Sequence, residues 1–316
     1  MRVDGLLIVD KPEGLTSLEV VRKIKHWFSV ERAGHIGTLD PFATGVLPVV
    51  LNEGRKLVPF LEEGPKEYEA MMKLGEETTT DDPTGEVISQ KPFDGVTIEW
   101  IQAVFKSFLG RIQQTPPMFS AVKIKGDPLY RWARKGMEIE RKERTVNISE
   151  LEVQGIDIPK IRFRVSCSPG TYIRALARDV GRKIGCGAHL VSLRRIRSGP
   201  FHLKQAIPWE HLKSLSGRDS LLPWVISPEE ALPDFPEVKG DEEMLKKICD
   251  GKEIVLKDFH LRSFPDFRKG QWLRMSSPEG KLIAILRSEM DRDEIHRVYP
   301  EKVIFRPLRV FHFKND

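Results

Sequence analysis

At 316 residues the chain is longer than one ordinary core needs and suits two domains, and its 40% apolar content is enough to fold. It has no run of 18 uncharged apolar residues, and the start soon reaches Lys11 and Pro12, which excludes a spanning helix or a secretory leader and suits a cytoplasmic protein. Cys167, Cys186 and Cys249 are odd in number and far apart, so inert thiols are expected rather than a disulfide framework or a zinc site. The net charge of +5 is only weakly basic. From Ile161 to Pro200, however, nine Lys or Arg stand against one acidic residue, Asp179, and eight of the nine are Arg. Such a stretch reads as a phosphate-binding surface or as a solvated helix face.

In chain order, Gly5 to Asp10 is apolar enough for a buried strand, ended by the Pro12-Glu13-Gly14 turn. Thr16 or Ser17 then caps a helix to about His26, with Val20, Val21 and Ile24 at helical spacing. Lys11, at the turn, reads as a phosphate contact or as a turn charge. The segment from Gly34 to Pro48 places one carboxylate, Asp40, in a glycine-punctuated loop ahead of the apolar run Val46 to Leu51. Pro41 keeps Asp40 out of the helical region and displays its side chain from a loop, while Gly34, Gly37 and Gly45 allow close approach. From Lys66 to Met72 the pattern alternates as in a half-buried strand, with Tyr68 on the apolar face, in the core or at a site. Thr78 to Gly85 lacks the spacing of a calcium loop and reads as a turn bonded by its own Asp and Thr side chains.

A helix is expected from the Thr97 cap to Gly110. After it, a proline-broken basic stretch from Gln113 carries Lys123 and Lys125, then Tyr130 and Trp132 among Arg131, Arg134 and Lys135. That mixture suits a loop and short helix closing over RNA, or a helix whose aromatics face the core. Ile161 to Val165 alternates as a strand and leads to Gly170-Thr171-Tyr172-Ile173-Arg174. The region broken by Pro223, Pro228, Pro233 and Pro236 reads as a linker. Beyond it a short helix around Met244 to Ile248 and strands near 271–275, 281–286 and 303–310 suggest a small barrel.

Residues 34–48 resemble the active-site motif of the TruB family, the stand-alone synthases that convert uridine 55 of the tRNA T-arm to pseudouridine. His35, Asp40, Pro41, Ala43, Thr44, Gly45 and Pro48 carry the match, and four further segments agree with it: Asp10 to Gly14, Tyr68, Gly170 to Arg174, and Gly187 to Gly199. The resemblance implies an α+β fold, with a catalytic domain over residues 1–232 on a mixed, largely antiparallel sheet flanked by helices. It implies a mobile thumb at about 113–145, and, more loosely, a β-barrel-like PUA domain over 237–316. It implies Asp40 as the catalytic carboxylate, Tyr68 stacked on the target base and engaged in proton transfer, and Arg174 paired with Asp40. His35 would fill the gap left by the flipped base, Leu193 would pack near that base, and Lys11, Lys123, Lys125, Tyr130 and Arg194 would contact RNA.

Breaking the bond from C1′ to N1, turning the base and joining C1′ to C5 needs no redox change, metal or cofactor, and none is expected. The expected partner is tRNA, with no guide RNA or obligatory protein. A catalytically silent RNA-binding protein and a guided synthase are the rivals. Asp40, Tyr68 and Arg174 speak against the first, and the absence of long charged tails speaks against the second.

Overall fold

The computed structural model describes residues 3–120, 122–124, 126–259 and 264–311. Its organising element is a mixed sheet of eleven strands. These are β1 (Gly5–Lys11), β2 (Ala33–His35), β3 (Thr44–Leu51), β4 (Lys66–Leu74), β5 (Gly110–Gln114), β6 (Arg144–Asp157), β7 (Lys160–Cys167), β8 (Ala188–Ser198), β9 (Phe201–His202), β10 (Ile207–Pro208) and β11 (Val225–Ile226). The main path runs β10-β1-β3-β8-β4-β7-β6-β5, with β2 on β3, β9 on β8 and β11 on β1. Pairing is antiparallel except at β1 with β10 and at β3 with β8.

Sidedness explains the uninterrupted apolar runs. Leu7 and Val9 of β1 join Leu47, Val49 and Leu51 of β3 in one core under the helices, while Leu6, Ile8, Val46 and Val50 join a second core on the opposite face. Strands buried on both faces lose the polar alternation of a half-solvated strand. Helices α1 (Ser17–Trp27), α2 (Ile98–Lys106) and α4 (Ile173–Ile184) cover the first face with Val20, Ile24, Val104, Phe105, Leu176 and Val180. Each such side chain contributes roughly 1.5–3 kcal/mol on burial. Helix α1 starts as expected: Thr16 accepts from the Glu19 amide, and the Glu19 carboxylate accepts from the Thr16 amide.

Three boundaries differ from expectation. Helix α2 stops at Lys106, and Gly110 opens β5, so Gln113 and Gln114 belong to the central sheet, opposite Thr145 and Arg144. The insertion between β5 and β6 therefore begins after Gln114; it holds the short helix α3 (Leu129–Ala133). The proline-broken segment is not a free linker. Val225 and Ile226 pair with Leu7 and Leu6, and Ala231 and Leu232 are buried, because the apolar residues between the prolines find an open edge of β1 and the second core.

The C-terminal residues form a separate five-stranded sheet: β12 (Glu237–Lys239), β13 (Ile254–Val255), β14 (Trp272–Ser276), β15 (Leu282–Ser288) and β16 (Val303–Val310), in the order β12-β14-β15-β16-β13. Helix α5 (Glu242–Cys249) packs Met244 and Ile248 against it. Among the described residues this sheet is an open path and not the closed barrel that the spacing suggested. Leu282, Ile285 and Phe311 reach the second core, and Trp272 meets Phe60 edge to face at 5.1 Å.

A candidate active site

The ends of β1, β3 and β8 lie side by side where the Asp40 loop crosses them: Lys11 opposes Gly45, and Arg195 opposes Gly45 from the other side. Gly45 is required there. Its φ is +100°, and a Cβ would stand 2.2 Å from the Arg195 carbonyl oxygen. The Asp40 side chain is 32% exposed, open to one side, and is held on the other by Arg174, whose side chain is 3% exposed. Arg174 Nε lies 2.8 Å from Asp40 Oδ2, and Nη2 donates to Oδ1 at 3.0 Å. The same guanidinium donates to the carbonyls of Thr80 and Phe119 and lies 3.4 Å from Asp82 Oδ2. Five contacts to four residues leave it one orientation.

The turn at 78–85 is built as expected from its own side chains: Thr80 and Thr84 hydroxyls donate to Asp82 Oδ1, both at 2.6 Å. Its further use was not legible in the sequence. Asp82 faces Arg174 and Asp81 pairs with Arg178 at 2.9 Å, so the turn anchors the arginines of α4. Burial in the cleft lifts the Asp40 carboxyl above its ordinary value; Arg174 opposes the rise and Asp82 adds to it.

Tyr68 is buried on β4, opposite Arg195 of β8, and burial raises its phenol. Leu193, two residues earlier, opposes Ala70 and is also buried. His35, half-buried at the end of β2, shares a hydrogen bond with the Thr38 hydroxyl at 3.2 Å, and burial lowers its pKa. Tyr130 lies on α3 with the Arg134 guanidinium 5.6 Å from its ring. Lys123 lies in the short strand Lys123–Ile124, and Lys125 lies outside the described residues. The structure thus brings Asp40 and Arg174 into contact, with Tyr68 near enough to feel the Asp40 charge, while Tyr130 and Lys123 stand on the insertion.

Two expectations are corrected. Lys11 is neither a surface phosphate contact nor a turn charge: it is fully buried, and its ammonium donates to the carbonyls of Pro12, Pro41 and Ala43 at 2.8, 3.2 and 2.7 Å. It grips the loop that displays Asp40, and burial lowers its pKa to about 8. The arginine-rich stretch is also largely committed within the protein. Arg164 and Arg197 pair with Glu67, Arg174 with Asp40, Arg178 with Asp81, Arg182 with Glu77, and Arg194 with Asp10 at 2.7 Å. Six of the nine cations thus meet carboxylates from distant parts of the chain, which removes most of the apparent local excess. No group of three or more potential metal ligands occurs among the described residues, and no helix among them is long and apolar enough to cross a membrane.

Comparison with known proteins gives the family. Residues 25–173 match the family model described as TruB family pseudouridylate synthase, N-terminal domain, and residues 174–232 match the tRNA pseudouridylate synthase B C-terminal domain. A tRNA pseudouridine synthase B of Syntrophus aciditrophicus is 41% identical over 98% of this chain and 99% of its own. One of Geobacter sulfurreducens is 47% identical over 73% of this chain and 76% of its own. Among solved structures, a Cbf5-Nop10-Gar1 complex contains a chain that matches with a TM-score of 0.73 and 29% identity, over 98% of this chain and 85% of that one. With the family models covering more than half of its length and relatives at this identity along nearly all of it, the chain belongs to the TruB family of pseudouridylate synthases and is an enzyme of the isomerase class.

Proposed function

We propose that the protein converts uridine 55 of the tRNA T-arm to pseudouridine, with Asp40 as the catalytic carboxylate. The observation that carries this reading is a carboxylate doubly contacted by a buried guanidinium yet still open to one side. The guanidinium holds both carboxylate oxygens in place, and an ionised carboxylate so held supplies a nucleophile or a base. The C1′–N1 bond breaks, the base turns, a C1′–C5 bond forms, the proton on C5 leaves and N1 takes up a proton, so that the composition is unchanged. A base stacked in folded tRNA is out of reach, so it is flipped out at a cost of a few kcal/mol.

In this reading Tyr68 stacks on the flipped base and takes part in the proton transfer, Leu193 packs beside it, and His35 fills the gap in the RNA. Tyr130, Lys123 and Lys125 on the insertion, and the Arg194 edge of β8, contact the RNA, whereas Lys11 serves the loop from within. Residues 1–232 act as the catalytic domain. Residues 237–316, with a curled sheet of the kind a PUA module uses, act as a second RNA-binding domain in a cytoplasmic enzyme.

The relatives named tRNA pseudouridine synthase B support tRNA as the substrate, and the likeness to a Cbf5 complex keeps a guided enzyme as the second reading. Incubation with tRNA tritiated at uridine C5 separates them. Tritium release from position 55 by the wild type alone, and none by Asp40→Asn, is the expected result. Binding without release until a guide RNA is added would favour the second reading.

A further inference from the structure

Behind the Asp40 loop lies a guanidinium that neither the sequence reading nor the proposed chemistry assigns. Arg195 is 1% exposed. Its Nε donates to the Val46 carbonyl at 2.7 Å and its Nη2 to the Gly37 carbonyl at 2.8 Å. These two carbonyls bracket the loop, one three residues before Asp40 and the other six after it. These two bonds go to the main chain and not to a carboxylate, the guanidinium also bonds the Tyr68 hydroxyl, and the groups that feel it include the basic Lys11, Lys66 and His35 together with Tyr68 and Cys167, whose acid groups burial keeps protonated. Burying a cation among cations is expensive, and an apolar side chain of the same size would fill the space more cheaply.

The loop is shaped around this side chain. Gly37 has φ +66°, and a Cβ there would lie 3.1 Å from Arg195 Nη1. Gly45 has no room for a Cβ beside the Arg195 backbone. On the other flank, Lys11 takes the carbonyls of Pro41 and Ala43. The two buried cations therefore hold the loop at four carbonyls on both sides of Asp40, while Arg174 touches its carboxylate oxygens.

We propose that Arg195 is a positioning residue for Asp40: its planar fork ties Gly37 to Val46 and fixes the arc from which the carboxylate is presented, without touching RNA. The inference rests on Asp40 being the catalytic carboxylate. A fork with fixed angles between its donors suits two carbonyls on different segments better than a flexible ammonium does.

The test compares wild type, Asp40→Asn, Arg195→Met and Arg195→Lys in single-turnover tritium release, with tRNA affinity measured by filter binding. For Arg195→Met the rate falls about 100-fold, the scale of a misplacement of about 1 Å, while tRNA affinity stays within about threefold. Arg195→Lys still reaches a carbonyl and loses about tenfold, again at unchanged affinity. A folded variant whose rate stays within threefold of wild type overturns the proposal, and so does a loss of affinity that matches the loss of rate. If Arg195→Met does not fold, Arg195→Lys decides by the same criteria. If the wild type releases no tritium, or Asp40→Asn releases it normally, the underlying reading of Asp40 has failed and this inference falls with it.

Discussion

Replacing Arg174 by Met removes the cation that orients Asp40 while keeping a stem of similar bulk. The guanidinium is 3% exposed and faces two carboxylates, Asp40 and Asp82, together with the carbonyls of Thr80 and Phe119. Its loss leaves Asp82, at 6% exposure, without that buried counter-charge, and removing one partner of a buried pair costs about 3–5 kcal/mol of stability. The more telling effect is on titration. Burial already raises the Asp40 pKa, Arg174 lowers it, Asp82 raises it and Lys11 lowers it more weakly, so without Arg174 burial and Asp82 act upward against Lys11, the weakest of these influences. Losing an adjacent cation moves a carboxyl by about 1–3 pH units.

In the proposed chemistry the ionised carboxylate is the reactive form, so activity present above the pKa is lost as pH falls through it. The acid limb of kcat/KM for tritium release, recorded from pH 4.5 to 9, should therefore move up by about 1–3 units in Arg174→Met, with a further loss of about 100-fold on the plateau from the freed carboxylate. An acid limb in the same place as in the wild type would refute the claim that Arg174 sets the ionisation of Asp40. Unchanged thermal stability would refute the claim that it is a buried structural cation.

Other outcomes follow from the same contacts. Lys11, buried with its pKa lowered to about 8, is protonated in the unfolded chain up to about 10.5 but loses its proton earlier when folded. Stability of the wild type relative to Lys11→Met should therefore rise between pH 8 and 10.5, by about 3 kcal/mol in urea titrations; a difference independent of pH would count against a buried ammonium. Because Arg182 is engaged twice by Glu77, Arg182→Gln should leave the slope of log Kd for tRNA against log salt unchanged, whereas a free phosphate contact would lower it by about one. Thr16→Ala, which opens the capping box of α1, should cost about 1 kcal/mol in the urea midpoint at unchanged m-value.

The sequence by itself was enough for what depends on neighbours along the chain. The Thr16 cap, the alternation around Tyr68 and the side-chain-bonded turn at 78–85 are all local. Each is set by backbone sterics and by hydrogen bonds a few residues long. The motif resemblance added the nearness of Asp40 and Arg174, residues 134 apart, which no local rule contains.

Only the tertiary structure decided where charges end up. Lys11 read as a phosphate contact or a turn charge until the carbonyls of Pro41 and Ala43 came beside it, and the stretch between Ile161 and Pro200 read as a phosphate-binding surface or a solvated helix face until carboxylates from distant segments paired with six of its nine cations. Arg195 looked like one more arginine of that stretch, with no local mark of its burial. The proline-broken segment likewise read as a linker because the β1 edge that receives Val225 and Ile226 lies more than two hundred residues away. The partner of a charge or of a strand edge is a property of the sheet order, and the same composition with its carboxylates elsewhere would have presented a basic surface.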